Sequence, residues 1–425
     1  MKKIHIRFML MCLCIVMVFA SSYSVFGENA NNSDDDRTLI QATIQKYFDS
    51  YYKTLKTGTY VDVADLFTDN DEAMIPQRIL KNHLLLFKEF GRSYNFYELA
   101  LDFKDIKTDK NTAKVKMIEN AQFQYNVSPK DIISEIGNVE YIIELEKIDD
   151  TWKISSIDSE TNLNYEYVKN ELKLFNTLNS KQTKKQYIAN MFDKKDNYTK
   201  SLKNSLKKSF GADTAAEAIV DTDTTSDLTI QATYSYDIDK GIRYARAFAK
   251  ESSLEDSKKI FAAASPDCTN FVSQCIWAAY GGWDESSVTN SRNNVGNKVR
   301  MTTSWYGAKF GYGDISNAFA GVTYLYNYVT SSKTTGPKGT GYGEASTSSF
   351  NLNNVGRGDV VQFYSNSYGN WRHSVYVSYA YKTLTENIIF VCAHSGEALD
   401  EDILTYLNNP DKTKARGIRF SSANF

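Results

Sequence analysis

Residues Ser265-Pro266-Asp267-Cys268-Thr269-Asn270-Phe271-Val272-Ser273-Gln274-Cys275-Ile276-Trp277-Ala278-Ala279 constrain the fold more than any other stretch of the chain. Pro266 disfavours helical backbone at Ser265, and aspartate is a residue type that suits a helix N-cap. Phe271, Val272, Cys275, Ile276 and Ala279 recur at helical spacing, which predicts a helix with a buried stripe. Cys268 falls in its first turn. There the unpaired N–H groups and the positive end of the helix dipole favour an anion. A thiol so placed is expected to have a lowered pKa and to react as the thiolate. A plainer role for any cysteine is that of a small buried hydrophobe. Cys275 and Cys392 fit that role. The polar neighbours Asp267, Thr269 and Asn270 argue against it for Cys268.

The cysteine count sharpens the point. Met1 to Arg7 is basic, and an apolar run from Phe8 to Ala20 follows it. An acidic, Asn-rich stretch then extends through Asp36. This is the order of a secretory leader. The apolar run is shorter than the ~20 residues that span a bilayer. Residues 1–27 are therefore expected to be removed on export, taking Cys12 and Cys14 with them. Contact with the membrane is expected only through this leader. Cys268, Cys275 and Cys392 remain, an odd number that leaves at least one thiol free. On one helix Cys268 and Cys275 would lie roughly 10 Å apart, too far for a disulfide. A disulfide-stapled scaffold is excluded.

Three regions follow the leader. In residues 37–164, Leu39, Ile40, Ile44, Tyr47, Phe48, Tyr51, Tyr52 and Leu55 predict an amphipathic helix, and Ile79 to Phe90 a second. Ala113, Val115 and Met117 alternate with lysines. Val139, Tyr141, Ile143 and Leu145 alternate with glutamates, apart from Ile142. Asp149-Asp150 turns the chain into Trp152 to Ile157, completing a hairpin. Helices followed by an antiparallel meander indicate an α+β fold. The order resembles the NTF2-like α+β cone. Residues 165–233 are rich in Lys, Asn, Ser, Thr and Asp and read as a partly helical linker. His83 reads as a surface residue. Residues 234–425 hold the candidate chemistry.

A cysteine nucleophile needs a base. His373 and His394 are the only histidines of the C-terminal region. Trp371 to Val377 reads as a strand with His373, Val375 and Val377 on one face. Ile388 to His394 reads as another, with Phe390, Cys392 and His394 on one face. Period-2 alternation is compatible with both rings on the same side of one sheet. His394 would then orient His373 as the third member of a triad does. One cysteine and two histidines could also ligate zinc, but no CxxC or HxxxH pair is present, and no metal or cofactor is expected.

Asp267-Cys268-Thr269-Asn270-Phe271-Val272-Ser273-Gln274, Gly358-Asp359-Val360-Val361-Gln362, His373-Ser374-Val375-Tyr376-Val377 and Ala393-His394-Ser395 resemble the putative amidase domain family of Gram-positive bacteria. That family is similar to the NlpC/P60 and CHAP cysteine peptidases. Tyr236 to Ala245 resembles the helix that opens the domain. The sequence departs from the family where Ser265-Pro266 stands in place of Gly-Gly before Asp267. The resemblance implies a papain-like α+β domain with Cys268 as nucleophile, His373 as base and His394 as third polar residue. The Cys268 N–H would serve the oxyanion, with Tyr236 or Gln274 as a second donor, and Asp267 and Asn270 in support. The glycine-rich stretch from Gly336 to Gly343 reads as a surface loop. Trp277, Trp283, Trp305 and Trp371 suit either a cleft or a core.

The expected function is that of a secreted, cell-wall-associated amide hydrolase acting on a peptide or peptidoglycan-like substrate. An acyltransferase or transglutaminase-like enzyme would use the same residues, and a wall-binding module would use only the aromatic ones. A net charge of −2 gives no overall field for nucleic acid.

Overall fold

The computed structural model describes residues 32–177, 181–209, 233–311, 313–383 and 386–425. The expected leader lies outside the described residues. Among the described residues no helix is long and apolar enough to cross a membrane.

The N-terminal region opens with α1 (Asn32–Thr57) and α2 (Met74–Phe90). Ile40, Ile44, Tyr47, Phe48, Tyr52 and Leu55 of α1 are buried, as their spacing predicts. Gly91 ends α2 in the left-handed conformation, φ 62°, where a glycine carries no Cβ penalty. A meander follows: β1 (Tyr94–Asp109), β2 (Thr112–Tyr125), β3 (Ser134–Ile148) and β4 (Thr151–Asp158). Asp149 and Asp150 turn β3 into β4 with φ of 48° and 59°, the two positive values that a tight hairpin turn requires.

Residues 165–233 are not simply a linker. They contain most of α3 (Leu163–Thr177) and all of α4 (Lys184–Ser209). Ile188, Met191 and Phe192 of α4 join the N-terminal core, while Leu202 and Leu206 join the core under the C-terminal sheet. Each such burial is worth about 1.5–3 kcal/mol. The lysine-rich composition masks this, because Ile188, Met191, Phe192, Leu202 and Leu206 are the few apolar residues on one face. The Ser/Thr/Asp cluster at 221–227 lies outside the described residues.

The C-terminal region contains β5 (Thr233–Tyr234), α5 (Ile238–Phe248), α6 (Cys268–Ala279), α7 (Val288–Gly296) and α8 (Val322–Thr330). Then come β6 (Lys338–Ser346), β7 (Val360–Ser365), β8 (Asn370–Lys382), β9 (Asn387–Ala393), β10 (Glu397–Asp402), β11 (Lys412–Ser421) and β12 (Ala423–Asn424). The glycine-rich segment expected to be a loop is largely strand β6, an edge strand paired with β11.

One ten-stranded antiparallel sheet runs through both regions in the order β1-β2-β3-β10-β9-β8-β7-β11-β6, with β4 also paired to β3. Its junction is β3 with β10, where Gly137, Ile136 and Glu135 oppose Glu397, Ala398 and Leu399. The fold is α+β, as expected, but the sheet is shared between the two regions. Helices α5 and α6 cover one face of its C-terminal half. The core there includes Phe271, Val272, Cys275, Ile276, Val360, Tyr376 and Cys392. The other face packs Phe363, Val375, Val377, Val391 and Tyr406.

Candidate functional site

Cys268 is the first residue of α6 and is fully buried. Asp267 stands at the N-cap position, but its side chain makes no cap hydrogen bond. Its carboxylate instead accepts from the Ala264 N–H at 2.9 Å and the Asn270 amide at 2.7 Å, and its Oδ2 lies 2.6 Å from His394 Nδ1. The first turn of α6 is thus left without a side-chain cap.

The thiol is held by neutral groups. Sγ donates to the Arg372 carbonyl at 3.7 Å and lies 3.8 Å from Thr269 Oγ1. Burial pushes the Cys268 pKa up, outweighing the hydrogen bonds that favour the thiolate. The expectation of a lowered pKa is corrected. Desolvation at a fully buried site exceeds what one helix start returns.

His373, on β8, is buried, and no hydrogen bond joins its ring to the Cys268 Sγ. Its ring stacks on Tyr406 at 5.4 Å and 16°, and it opposes Phe363 across the sheet. Ser374, the next residue, points to the other face, where its Oγ lies 3.0 Å from Thr269 Oγ1. Burial, with Lys412 and Arg372 nearby, lowers the His373 pKa to about 3. The imidazole is neutral, and its Nε2 has no hydrogen-bond partner.

His394 lies on the α6 face. It stacks on Phe271 at 4.1 Å, and both nitrogens face acceptors, Asp267 at 2.6 Å and the Phe248 carbonyl at 2.8 Å. Burial opposes its charged form, but Asp267, the Phe248 carbonyl and Glu251 outweigh burial and raise its pKa. Two acceptors facing the two ring nitrogens favour the imidazolium form of His394. The expectation that His394 and His373 share one side of the sheet is not met. Tyr376 pairs with Cys392 on the α6 face, so His394 falls on that face and His373 on the opposite one. Which face a residue takes depends on register, which alternation within each strand does not define.

The supporting residues divide. Asn270 is tied to Asp267 and to the Ala262 carbonyl at 3.0 Å. Gln274 accepts from Tyr244 at 2.8 Å, while its amide Nε2 is buried without a partner. The Tyr236 hydroxyl is engaged with the Gly358 carbonyl and Tyr376, each at 3.0 Å. Trp277 and Trp305 are core residues. Trp371 lies under the Arg416 guanidinium at 3.9 Å.

Glu251, Asp267 and His394 bring potential ligand atoms within 4.8 Å of one another. Cys268 and His373 are not in that group, so the arrangement expected for zinc is not formed. The His394 nitrogens are already engaged by the protein. Glu251, buried and raised to about 7 by burial, carried no signal in the sequence. Nor did Tyr406 or the Arg372 carbonyl, because each is brought to the site by folding from elsewhere or by its backbone alone.

A helix-borne cysteine packed on an antiparallel sheet, with one histidine on β8 and one just past β9, describes an α+β domain. Residues 235–416 match the model of the family described as Putative amidase domain, in agreement with the motifs of that region. The match covers less than half of the chain and suggests an amide hydrolase at the level of class. No curated protein matches the chain. Solved structures similar to it include the Kfla4162 protein from Kribbella flavida, 15% identical, covering 29% of this chain and 91% of that one with a TM-score of 0.22. A putative scytalone dehydratase from Novosphingobium aromaticivorans is also 15% identical, covering 30% of this chain and 87% of that one, TM-score 0.22.

Proposed function

We propose that this protein is an exported cysteine-dependent hydrolase of amide bonds in cell-wall peptides. The observation that carries the reading is Cys268 at the start of an α6 helix whose first turn has no side-chain cap. N–H groups without an internal partner are suited to a developing oxyanion, a contribution of roughly 3–4 kcal/mol. The unpartnered Gln274 amide is the candidate for a second donor. In this reading residues 234–425 form a papain-like domain, and residues 37–164 an NTF2-like cone.

The reaction is acyl transfer. Sγ attacks the amide carbonyl carbon, the C–N bond breaks, and the thiol proton reaches the leaving amine through a base. Water then hydrolyses the thioester and restores the thiol. His373 is assigned as the base because of the family resemblance and its unpartnered Nε2. The paired register shifts between Phe363 and Tyr364, at Arg372. A bulge of this kind is where a strand re-aims a side chain. Opening at Arg372 would release Sγ from its carbonyl and bring His373 to it. His394 is assigned to position the helix start through Asp267.

Full burial of Cys268 favours one second reading. A thioester shielded from water passes its acyl group to an amine, as in a transglutaminase-like enzyme.

The test is the full chain and its Cys268→Ala variant on purified peptidoglycan, with released muropeptides followed by mass spectrometry. Release by the native chain and none by an equally folded variant is expected. Equal release by both would overturn the assignment. Adducts with an added primary amine would identify acyl transfer.

A further inference from the structure

A second polar site lies away from Cys268, where the N-terminal region meets β10. Residues of α1, α2, β1, β2, β3, α3 and β10 line a partly open cavity of about 120 Å³. Three buried carboxyls line it, Glu119 at 3% exposure, Glu401 at 5% and Glu397 at 9%, the last accepting from the Ser252 N–H and hydroxyl. The Tyr52 and Tyr141 hydroxyls donate to Glu119, each at 2.8 Å. Tyr125 and Thr405 donate to Glu401 Oε1 at 2.8 and 2.7 Å. Glu401 Oε2 is buried with no hydrogen-bond partner. His83, expected to be a surface residue, lines the same cavity, with Nδ1 on the Tyr51 hydroxyl at 2.7 Å and Nε2 unpartnered.

Much of the remaining wall is aromatic. The Tyr51 and Tyr52 rings lie 5.8 Å apart, and Tyr52 stacks on Tyr94 at 6.2 Å. Neither Lys nor Arg is among the described lining residues. Lys195 lies behind the wall, its Nζ 2.6 Å from Oδ1 of the lining residue Asn164 and over the Tyr167 ring. A buried carboxyl without a counter-charge is costly, and the faces of tyrosine rings attract cations. The cavity supplies acceptors and π faces but no cation of its own.

We propose that this cavity is a binding site for a small organic ammonium ion, held by Glu401 Oε2 and the surrounding tyrosine rings. Size limits the ligand. An apolar cavity of about 150 Å³ admits benzene, so a cation of about four to six heavy atoms fits and a glycan or peptide chain does not. Tyr406 lines the cavity and also stacks on His373, which puts the ligand one ring away from that histidine. The proposal does not depend on Cys268 being a nucleophile.

The probes are tert-butylammonium and the isosteric neutral tert-butanol, titrated calorimetrically into the full chain. Burial pushes Glu401 up to about 7, so the titration is made near pH 8, where the carboxylate predominates. The ammonium is expected to bind at least about tenfold more tightly than the alcohol. Glu401→Gln should remove that preference, and Cys268→Ala should leave it intact. Tyr51→Leu, read alongside, should weaken the ammonium more than the alcohol and keeps the test decisive if Glu401→Gln fails to fold. Equal affinity for the two probes, or no binding of the ammonium at millimolar concentration, would overturn the proposal.

Discussion

Asp267 Oδ2 lies 2.6 Å from Nδ1 of His394, and through this contact the start of α6 is tied to the turn that follows β9. Ser395, in that turn, adds a second tie by accepting the Asp267 N–H at 3.4 Å. The geometry makes Asp267 an anchor for the start of α6 rather than a cap.

The pair has a pH signature. His394 has a raised pKa in the folded protein, so its stabilising contribution is complete below the unfolded value of about 6.5. It is lost as pH rises through the folded pKa. The stability advantage of the native chain over His394→Gln should be about 2 kcal/mol in mild acid and should shrink toward alkaline pH. Urea denaturation at a series of pH values measures it. An advantage that stays flat into the alkaline range would remove the charged pair from the account.

Alkylation of Cys268 should be slow at neutral pH. Burial raises its pKa above the ordinary value of 9.0, so the thiolate is scarce. The rate of iodoacetamide labelling at this site, read by peptide mass spectrometry, should climb about tenfold per pH unit up to pH 9. A plateau beginning below pH 7 would show a preformed thiolate and contradict the structure.

Arg92 couples the two regions. Its Nε donates to Asp402 at 2.7 Å, and its Nη1 pairs with Glu386. The Arg92 and Asp402 side chains are 2% and 4% exposed. Removing one partner from such a pair costs about 3–5 kcal/mol. Arg92→Ala should lower the thermal midpoint of the whole chain in one transition, because β3 and β10 belong to one sheet. Separate loss of the N-terminal region alone, seen as two calorimetric peaks in the native chain, would argue against that unity.

Gly241 marks the closest approach of α5 to the sheet. A Cβ there would meet the Tyr376 hydroxyl at 2.2 Å and Ala279 Cβ at 3.1 Å. Gly241→Ala should therefore destabilise by about 1–3 kcal/mol through overpacking, despite the better helix propensity of alanine. Chemical denaturation with an unchanged m-value is the expected result, and a gain in stability would refute the close packing.

Much of the secondary structure was legible because it depends on local pattern. The stripe from Phe271 to Ala279 specified a buried helix, and alternation from Val139 to Leu145 with Asp149-Asp150 specified a hairpin. Helix α4 was less legible. Its apolar residues are spread thinly over 26 positions, and they acquire meaning only because two cores lie beside them. The half-buried place of His83 on the cavity was hidden for the same reason, since Lys81 and Asn82 beside it are polar.

By itself the sequence determined which residues are candidates for reactive chemistry: one thiol at a helix start, one histidine on a strand and one just past a strand. It also determined that the fold is α+β, because periodicity and turn chemistry are properties of neighbouring residues. Only the tertiary structure decided how those groups meet. Strand register put His394 on Asp267 and His373 on Tyr406, on opposite faces of one sheet. Burial then disfavoured charge on Cys268 and His373, while Asp267, the Phe248 carbonyl and Glu251 raised the His394 pKa against burial. Register and desolvation arise from contacts between residues far apart in the chain, and no local pattern encodes them.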